Sequence, residues 1–149
     1  MKEYIPSKTD IAPSGKNPDE LTAAENFLGM SCKQVLYDLC AGDMGGYAHT
    51  EDLLWMGEKA FLYYLPAFID YLRSEFSRGD ADTADGFVFN VYHRLTGESS
   101  VTLPPDLRDQ LAACMQHILT QPGKWELDDD VDDTYAKQAC EILSIIHMQ

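Results

Sequence analysis

The stretch FLYYLPAFIDYL, Phe61–Leu72, carries the strongest amphipathic pattern in the sequence and decides the predicted fold. Its apolar side chains, with one that follows the stretch, recur at every third or fourth position, as on one face of an α-helix: Phe61, Leu65, Phe68, Leu72 and Phe76. Pro66 lies within this stripe, lacks an N–H group and disfavours helical geometry at the residue before it. Because the stripe keeps its phase across Pro66, we predict a kink or a tight restart that wraps both halves around one core.

Further helix signals occur along the rest of the chain. Asn17 and Ser31 can cap helices, and Thr50 is predicted to open a short helix. Apolar stripes between Pro105 and Gly123, and near residues 134–147, predict the last two helices. The segment FVFNVYHRLTG fits a helix or an alternating strand, and its helical neighbours favour a helix.

These patterns predict an all-α protein. We expect a single compact domain over residues 17–149, with six or seven helices in a bundle-like arrangement and a proline-kinked central helix. At most, one small irregular hairpin would interrupt the helices. Residues 1–16 contain two prolines and a Ser-Gly pair without a sustained apolar period, so they are predicted to form a flexible N-terminal arm.

Charge is the unusual feature of the composition. The chain has 149 residues, 45% of them hydrophobic, which suffices for one globular core. Its 25 acidic residues outnumber 11 basic ones and give a formal net charge of −14. Such a surface repels nucleic-acid phosphates and attracts basic proteins. Since no apolar run approaches the roughly 20 residues that span a bilayer, we expect a cytoplasmic protein that binds neither nucleic acid nor membrane.

The sequence predicts no metal, no cofactor and no catalytic residue. The cysteines lie among apolar neighbours without metal-site spacing, so we expect reduced, buried thiols: Cys32, Cys40, Cys114 and Cys140. Cys114 and His117 share a helical face, which fits core packing better than a nucleophile–base pair. Asp128, Asp130 and Asp132 match the first ligand positions of an EF-hand loop, but the required glycine and the final glutamate are missing.

The segment ELDDDVDD, residues 126–133, has six acidic residues in eight positions. One interpretation is a solvated loop whose last acids stabilise the positive end of the following helix. The other is a docking surface for a basic protein, with exposed aromatic side chains beside it as anchors. The docking hypothesis names the following residues: Asp128, Asp129, Asp130, Asp132, Asp133, Tyr47 and Trp125.

The segments EKAFLYYLPAFIDYL, VYHRL and LPPDLRDQLAACMQHIL together resemble a family of small acidic bacterial proteins, a domain of unknown function. Its members share an alanine-aromatic-Tyr-Tyr-Leu-Pro-Ala-Phe core and a later glutamine-containing helix. The resemblance extends over residues 31–121 and implies a helical fold and little chemistry. Some relatives resemble polymorphic-toxin immunity proteins in size and charge. The sharpest motif, Tyr63–Phe68, is a packing motif, and the resemblance implies no role for the acidic segment.

Three functions fit these observations. The first is a cytoplasmic inhibitor, most simply an immunity protein that neutralises a basic bacterial toxin or effector. The second is an acidic nucleic-acid mimic or regulatory adaptor, and the third is an enzyme with a dispersed active site. We expect the first, with a basic protein as the partner.

Overall fold

The computed structural model describes residues 4–43, 46–97, 100–129 and 133–149, with the backbone alone at 46–48 and 129. Eight α-helices occur in these ranges: α1 Lys8–Ile11, α2 Pro18–Phe27, α3 Cys32–Ala41, α4 Gly46–Trp55, α5 Glu58–Arg73, α6 Ala81–Thr96, α7 Pro105–Thr120 and α8 Thr134–Met148. Short 3₁₀ turns lie at Glu75–Ser77, Pro122–Trp125 and Leu127–Asp129. The described ranges contain no strand, so the all-α prediction is confirmed. Seven of these helices lie after Asn17, in agreement with the number predicted.

Helix ends follow the local capping chemistry. The Asn17 side chain accepts hydrogen bonds from the backbone N–H groups of Asp19 and Glu20, and Ser31 Oγ accepts one from Gln34 N–H. Both predicted caps are therefore confirmed. Thr50 does not open a helix, because α4 already begins at Gly46 and Thr50 is buried in its middle.

Helix α5 forms the centre of the fold and packs against α1, α3 and α7. It runs through Pro66 without interruption, so the tight restart is not observed. Nine of its sixteen residues are buried, including every predicted stripe residue from Phe61 to Leu72. The buried Tyr64 hydroxyl donates to the carbonyl oxygens of Phe27 and Met30, at 3.0 and 2.7 Å, and so joins the α2–α3 connection to α5.

The predicted stripe fails at Phe76. Helix α5 ends at Arg73, the next residues form the Glu75–Ser77 turn, and the Phe76 side chain is 71% exposed. A three- or four-residue spacing keeps a side chain on the buried face only while the helix continues. Once the helix has ended, Phe76 points away from the core that its spacing predicted.

Residues 4–16 differ from the predicted flexible arm, because they pack onto the domain. Ser7 caps α1, and Ile11 and Ala12 are 0% and 3% exposed. Gly57 N–H donates to Ile11 O at 3.0 Å. A Cβ atom at Gly57 would lie 2.2 Å from Asp10 O, so this approach requires glycine. Two buried apolar residues and a backbone contact hold a segment that the sequence pattern placed outside the domain.

The other helices complete two sides of the core around α5. Helix α4 packs against α2 and α6, and α8 packs against α6 and α7. None of the helices in the described ranges is long and apolar enough to cross a membrane.

Candidate functional site

Trp125 does not have the exposure that the docking hypothesis requires. Its side chain is 0% exposed, and its Nε1–H donates to Ser77 Oγ at 3.0 Å. The His117 ring packs edge-on against the indole, with the two ring centroids 5.1 Å apart. The prediction of Trp125 as an exposed anchor is therefore wrong. The acidic residues that follow Trp125 in sequence suggested an exposed side chain. The indole instead packs into the core, where its N–H has a hydrogen-bond acceptor.

The structure describes the predicted acidic segment only at its two ends. Asp128 is exposed, and Asp133 is exposed at the N-cap position of α8, with its Oδ1 3.4 Å from Lys137 Nζ. Asp130, Asp132 and the side chains of Asp129 and Tyr47 lie outside the described residues. The docking role of the acidic residues and of Tyr47 stays a prediction.

A surface groove lies between α3 and the Glu75–Ser77 turn, and we call it the Tyr37–Phe76 groove. It has a volume of about 490 Å³. Six residues line it: Lys33, Leu36, Tyr37, Cys40, Ala41 and Phe76. The Tyr37 and Phe76 side chains are 68% and 71% exposed, which makes them the two most exposed aromatic residues described. Together with the apolar lining between them they form one contiguous exposed apolar patch, the kind of surface feature that marks interaction sites.

Helix α3 supplies one wall of the groove because it has two apolar faces. Val35 and Leu39 are buried in the core, where α3 packs against α5. The groove residues from Lys33 to Ala41 follow the spacing i, i+3, i+4, i+7, i+8, which places them along one helical face. Leu36 and Cys40 are half-buried at the edge of the core, whereas Lys33, Tyr37 and Ala41 on the same face are exposed.

Hydrogen bonds to the core side of the Glu75–Ser77 turn fix the position of Phe76. Ser77 Oγ donates to Leu72 O at 3.1 Å and accepts the hydrogen bond from Trp125. Lys124 Nζ also donates to Leu72 O, at 3.0 Å, and Lys124 O accepts from Gly79 N–H at 2.8 Å. Trp125 and Lys124 therefore fix the backbone on either side of Phe76.

A further link joins the two walls of the groove. The Cys40 side chain is hydrogen-bonded to Ser74, whose Oγ donates to Tyr71 O at 2.6 Å. The Tyr71 hydroxyl donates to Asp80 Oδ2, and the same carboxylate caps α6 by accepting from Thr83 N–H. This chain of contacts relates α3, the end of α5 and the start of α6, so the groove has defined walls in the unbound protein.

The lining of the groove is mostly apolar, and its one thiol is a weak nucleophile. Burial raises the pKa of the Cys40 thiol, which keeps it protonated and a weak nucleophile. Lys33 is the one charged residue of the lining, and Tyr37 adds one hydroxyl group. Apolar and aromatic side chains form the rest of its surface, as in the centre of a protein interface.

A cavity of about 800 Å³ lies between α7 and α8. Arg108, Ser144 and His147 are among its polar lining residues. Arg108 donates to Gln149 O, and Ser144 Oγ donates to Cys140 O at 3.3 Å within its own helix. The Arg108 guanidinium thus joins α7 to the residue that follows α8, and the Ser144 hydroxyl is used within α8.

Another cavity, of about 520 Å³, lies where α4, α5 and α6 meet and includes Arg94. Arg94 Nη1 donates to Leu53 O and Leu54 O, at 3.2 and 3.0 Å, and to Met56 O. The guanidinium carbon also lies 4.9 Å from the centroid of the Phe61 ring. Arg94 satisfies the carbonyl groups at the end of α4, which is a structural role.

The four cysteines differ in exposure. All four cysteines are thiols, and burial raises the pKa of Cys114 to about 12. The expectation of buried thiols is confirmed at Cys114 and wrong at the exposed Cys140, and Cys32 and Cys40 are half-buried. Among the residues that the structure describes, no three side chains of His, Cys, Asp or Glu lie close enough to hold a metal ion.

Sequence reasoning missed both groove aromatics. Tyr37 was not singled out, although an aromatic residue two positions from the buried Val35 must face away from the core in a helix. That signal was present in the sequence. The spacing of Phe76 continues the α5 stripe and so predicts a core position, but α5 ends at Arg73 and leaves Phe76 exposed.

Comparisons with protein-family models, with curated proteins and with solved structures find no match to this chain. The resemblance to small acidic bacterial proteins stays a prediction that rests on the quoted segments.

Proposed function

We propose that this chain is a binding protein that docks a basic protein at the Tyr37–Phe76 groove. More specifically, we propose a cytoplasmic immunity protein that neutralises a bacterial toxin or effector. The observation that carries the proposal is the pair of aromatic side chains, Tyr37 and Phe76, held open on two elements that the fold fixes relative to each other.

Aromatic anchors of this kind supply most of the energy of many interfaces. At the centre of an interface there are a few residues whose truncation to alanine weakens binding by about 2 kcal/mol or more each. Tyrosine is among the residue types enriched at such positions. Because the groove walls are defined before binding, little free energy is spent on ordering them when a partner docks.

The net charge supports a basic partner. A formal charge of −14 produces a long-range field that accelerates the encounter with a positively charged protein. The predicted acidic segment, which directly follows Trp125 in the sequence, would add to this field. The groove would supply affinity, and the acidic surface would supply association rate and selectivity.

The test begins with the partner. Affinity purification from the native host, followed by mass spectrometry, identifies a bound protein, which is then purified and titrated against the wild type. We expect a basic partner, and the variant Tyr37→Ala/Phe76→Ala should bind it at least about 30-fold more weakly. A matched control is Phe89→Ala, which removes an aromatic side chain that is 41% exposed on α6 and should leave the affinity unchanged.

The immunity role has its own measurement. Expression of the partner alone should arrest growth of a bacterial host, co-expression with the wild type should restore it, and the double groove variant should not. A partner that binds at the groove but has no toxic effect would keep the binding role and reject the immunity role. If the partner is instead a DNA-binding protein, the immunity role is rejected in favour of the nucleic-acid mimic or regulatory adaptor function. Equal affinity of wild type and groove variant would reject the groove as the site.

A further inference from the structure

The Tyr37–Phe76 groove offers an incoming chain almost no backbone hydrogen-bonding partners. Four of its six lining side chains are hydrocarbon or thiol groups, and the backbone groups in the middle of α3 are engaged within the helix. The Lys33 ammonium and Tyr37 hydroxyl are the polar groups of the lining. A segment that enters the groove must therefore satisfy its own N–H and C=O groups, because a polar group buried without a partner costs about 1–3 kcal/mol.

An α-helix meets this condition, and a β-strand without a pairing edge does not. Binding of an extended strand requires an exposed sheet edge, and the described ranges of this chain contain no strand. An amphipathic helix needs only an apolar trough for one of its faces. The groove face of α3 from Lys33 to Ala41 spans eight residue steps, or about 12 Å at 1.5 Å per residue. That length accommodates two turns of a docked helix.

Charge decides between a partner protein and a second copy of this chain. Two copies would bring together formal charges of −14 each, and this repulsion opposes self-association. At the rims of the groove, Asp38 follows Tyr37 in sequence, whereas Glu75 beside Phe76 is already paired with Arg78 at 2.8 Å. A helix with lysine or arginine on its flanks complements the global charge and the Asp38 rim.

We infer that the groove receives an amphipathic α-helix of the partner. This helix would place apolar side chains at i, i+3 or i+4, and i+7 between Tyr37 and Phe76, and basic side chains along its edges. The inference rests on the proposed function, since it assigns the part of the basic partner that enters the same groove.

The test uses a probe that carries no assumption about the partner. A phage-displayed library of random peptides of roughly 16 residues, enough for four helical turns, is selected on the wild type and depleted on the Tyr37→Ala/Phe76→Ala variant. We expect the enriched peptides to be basic, with apolar residues at helical spacing. Synthetic copies should gain helical circular dichroism on binding. Their affinity should fall about tenfold or more on the double variant, and it should be unchanged on Phe89→Ala.

The other outcomes overturn the inference in distinguishable ways. Enrichment of proline-rich or strictly alternating peptides would show that the groove takes an extended chain, and the proposed binding role would stand. If no groove-dependent peptide is enriched, the helix inference fails. The titration with the native partner then decides the proposed function separately. Sedimentation that shows a dimer of the wild type but a monomer of Phe76→Ala would assign the groove to a second copy of this chain and overturn both.

Discussion

Trp125 supports the site without touching its surface. Its indole is fully buried, its Nε1–H donates to Ser77 Oγ, and Ser77 in turn binds the carbonyl oxygen at the end of α5. The residue that the acidic context marked as a contact is thus part of the support for Phe76, one position before Ser77. Tryptophan is common at interfaces, but here it is buried and supports the backbone of a residue that is exposed.

This role gives a stability prediction. Trp125→Phe removes the Nε1–H donor and part of the ring volume, so the free energy of unfolding in urea should fall by about 1–3 kcal/mol. The control Trp55→Phe changes a side chain that is 38% exposed and should stay within about 0.5 kcal/mol of the wild type. If both variants are equally stable, the indole does not hold the turn.

Buried tyrosines make the stability sensitive to alkaline pH. Burial raises the pKa of Tyr64, and burial together with the hydrogen bond to Asp80 raises that of Tyr71. In the unfolded chain, tyrosine ionises near pH 10. Below that pH both states keep the proton and the stabilisation is complete. Above it the unfolded chain releases protons first, so the free energy of unfolding falls as the pH rises.

The corresponding measurement is urea unfolding between pH 8 and pH 11. Wild type should lose stability above about pH 10, and Tyr64→Phe should show a shallower decline because one such proton is absent. At neutral pH this variant should be less stable by about 1 kcal/mol, since the bonds to Phe27 O and Met30 O are lost. Parallel pH profiles for the two proteins would contradict the assignment of this dependence to Tyr64.

At the scale of elements, α3 and α5 show how a helix can serve two purposes. Helix α5 is apolar around most of its circumference and is covered by α1, α3 and α7. Helix α3 is covered on one face, and its second face forms a wall of the groove. The uncovered face exists because the chain after α5 turns away at Arg73 and places only the short Glu75–Ser77 turn beside α3.

Pro66 should shape α5 without forming a site. In Pro66→Ala, the new N–H can bond to Leu62 O, so we expect the free energy of unfolding to change by no more than about 1 kcal/mol. Affinity for the partner should stay the same. The control Leu65→Ala empties a fully buried position and should cost about 2–5 kcal/mol. A stable Pro66→Ala protein that no longer binds its partner would show that the proline builds part of the interface.

At the scale of the whole molecule, charge and the groove act at different stages of association. Charges distant from the contact accelerate the encounter and are screened by salt, with a Debye length of about 8 Å at physiological ionic strength. The anchors in the groove act after contact and govern dissociation. The two contributions can therefore be separated by kinetics.

Neutralising Asp128, Asp129 and Asp130 to asparagine should slow association with the purified partner at low salt. The difference from wild type should shrink as salt is added, dissociation should change little, and stability should hold or rise as repulsion is relieved. The control carries Glu25→Gln, Glu51→Gln and Asp109→Asn, which remove the same charge from exposed positions on α2, α4 and α7. Equal slowing by both triple variants would assign steering to net charge rather than to the acidic segment.

The sequence by itself determined the helical class, the caps at Asn17 and Ser31, and the burial of α5 from Phe61 to Leu72. These features depend on residues within one or two helical turns of each other, and such short-range patterns can be read directly. The tertiary structure decided the packing of Ile11 onto the domain, the burial of Trp125 and the exposure of Phe76. Each of these depends on distant residues, Gly57 for the first segment and Ser77 for the indole, or on where a helix stops. The groove exists only because α3 and the Glu75–Ser77 turn, more than thirty positions apart in the chain, lie side by side, and no local pattern records that contact.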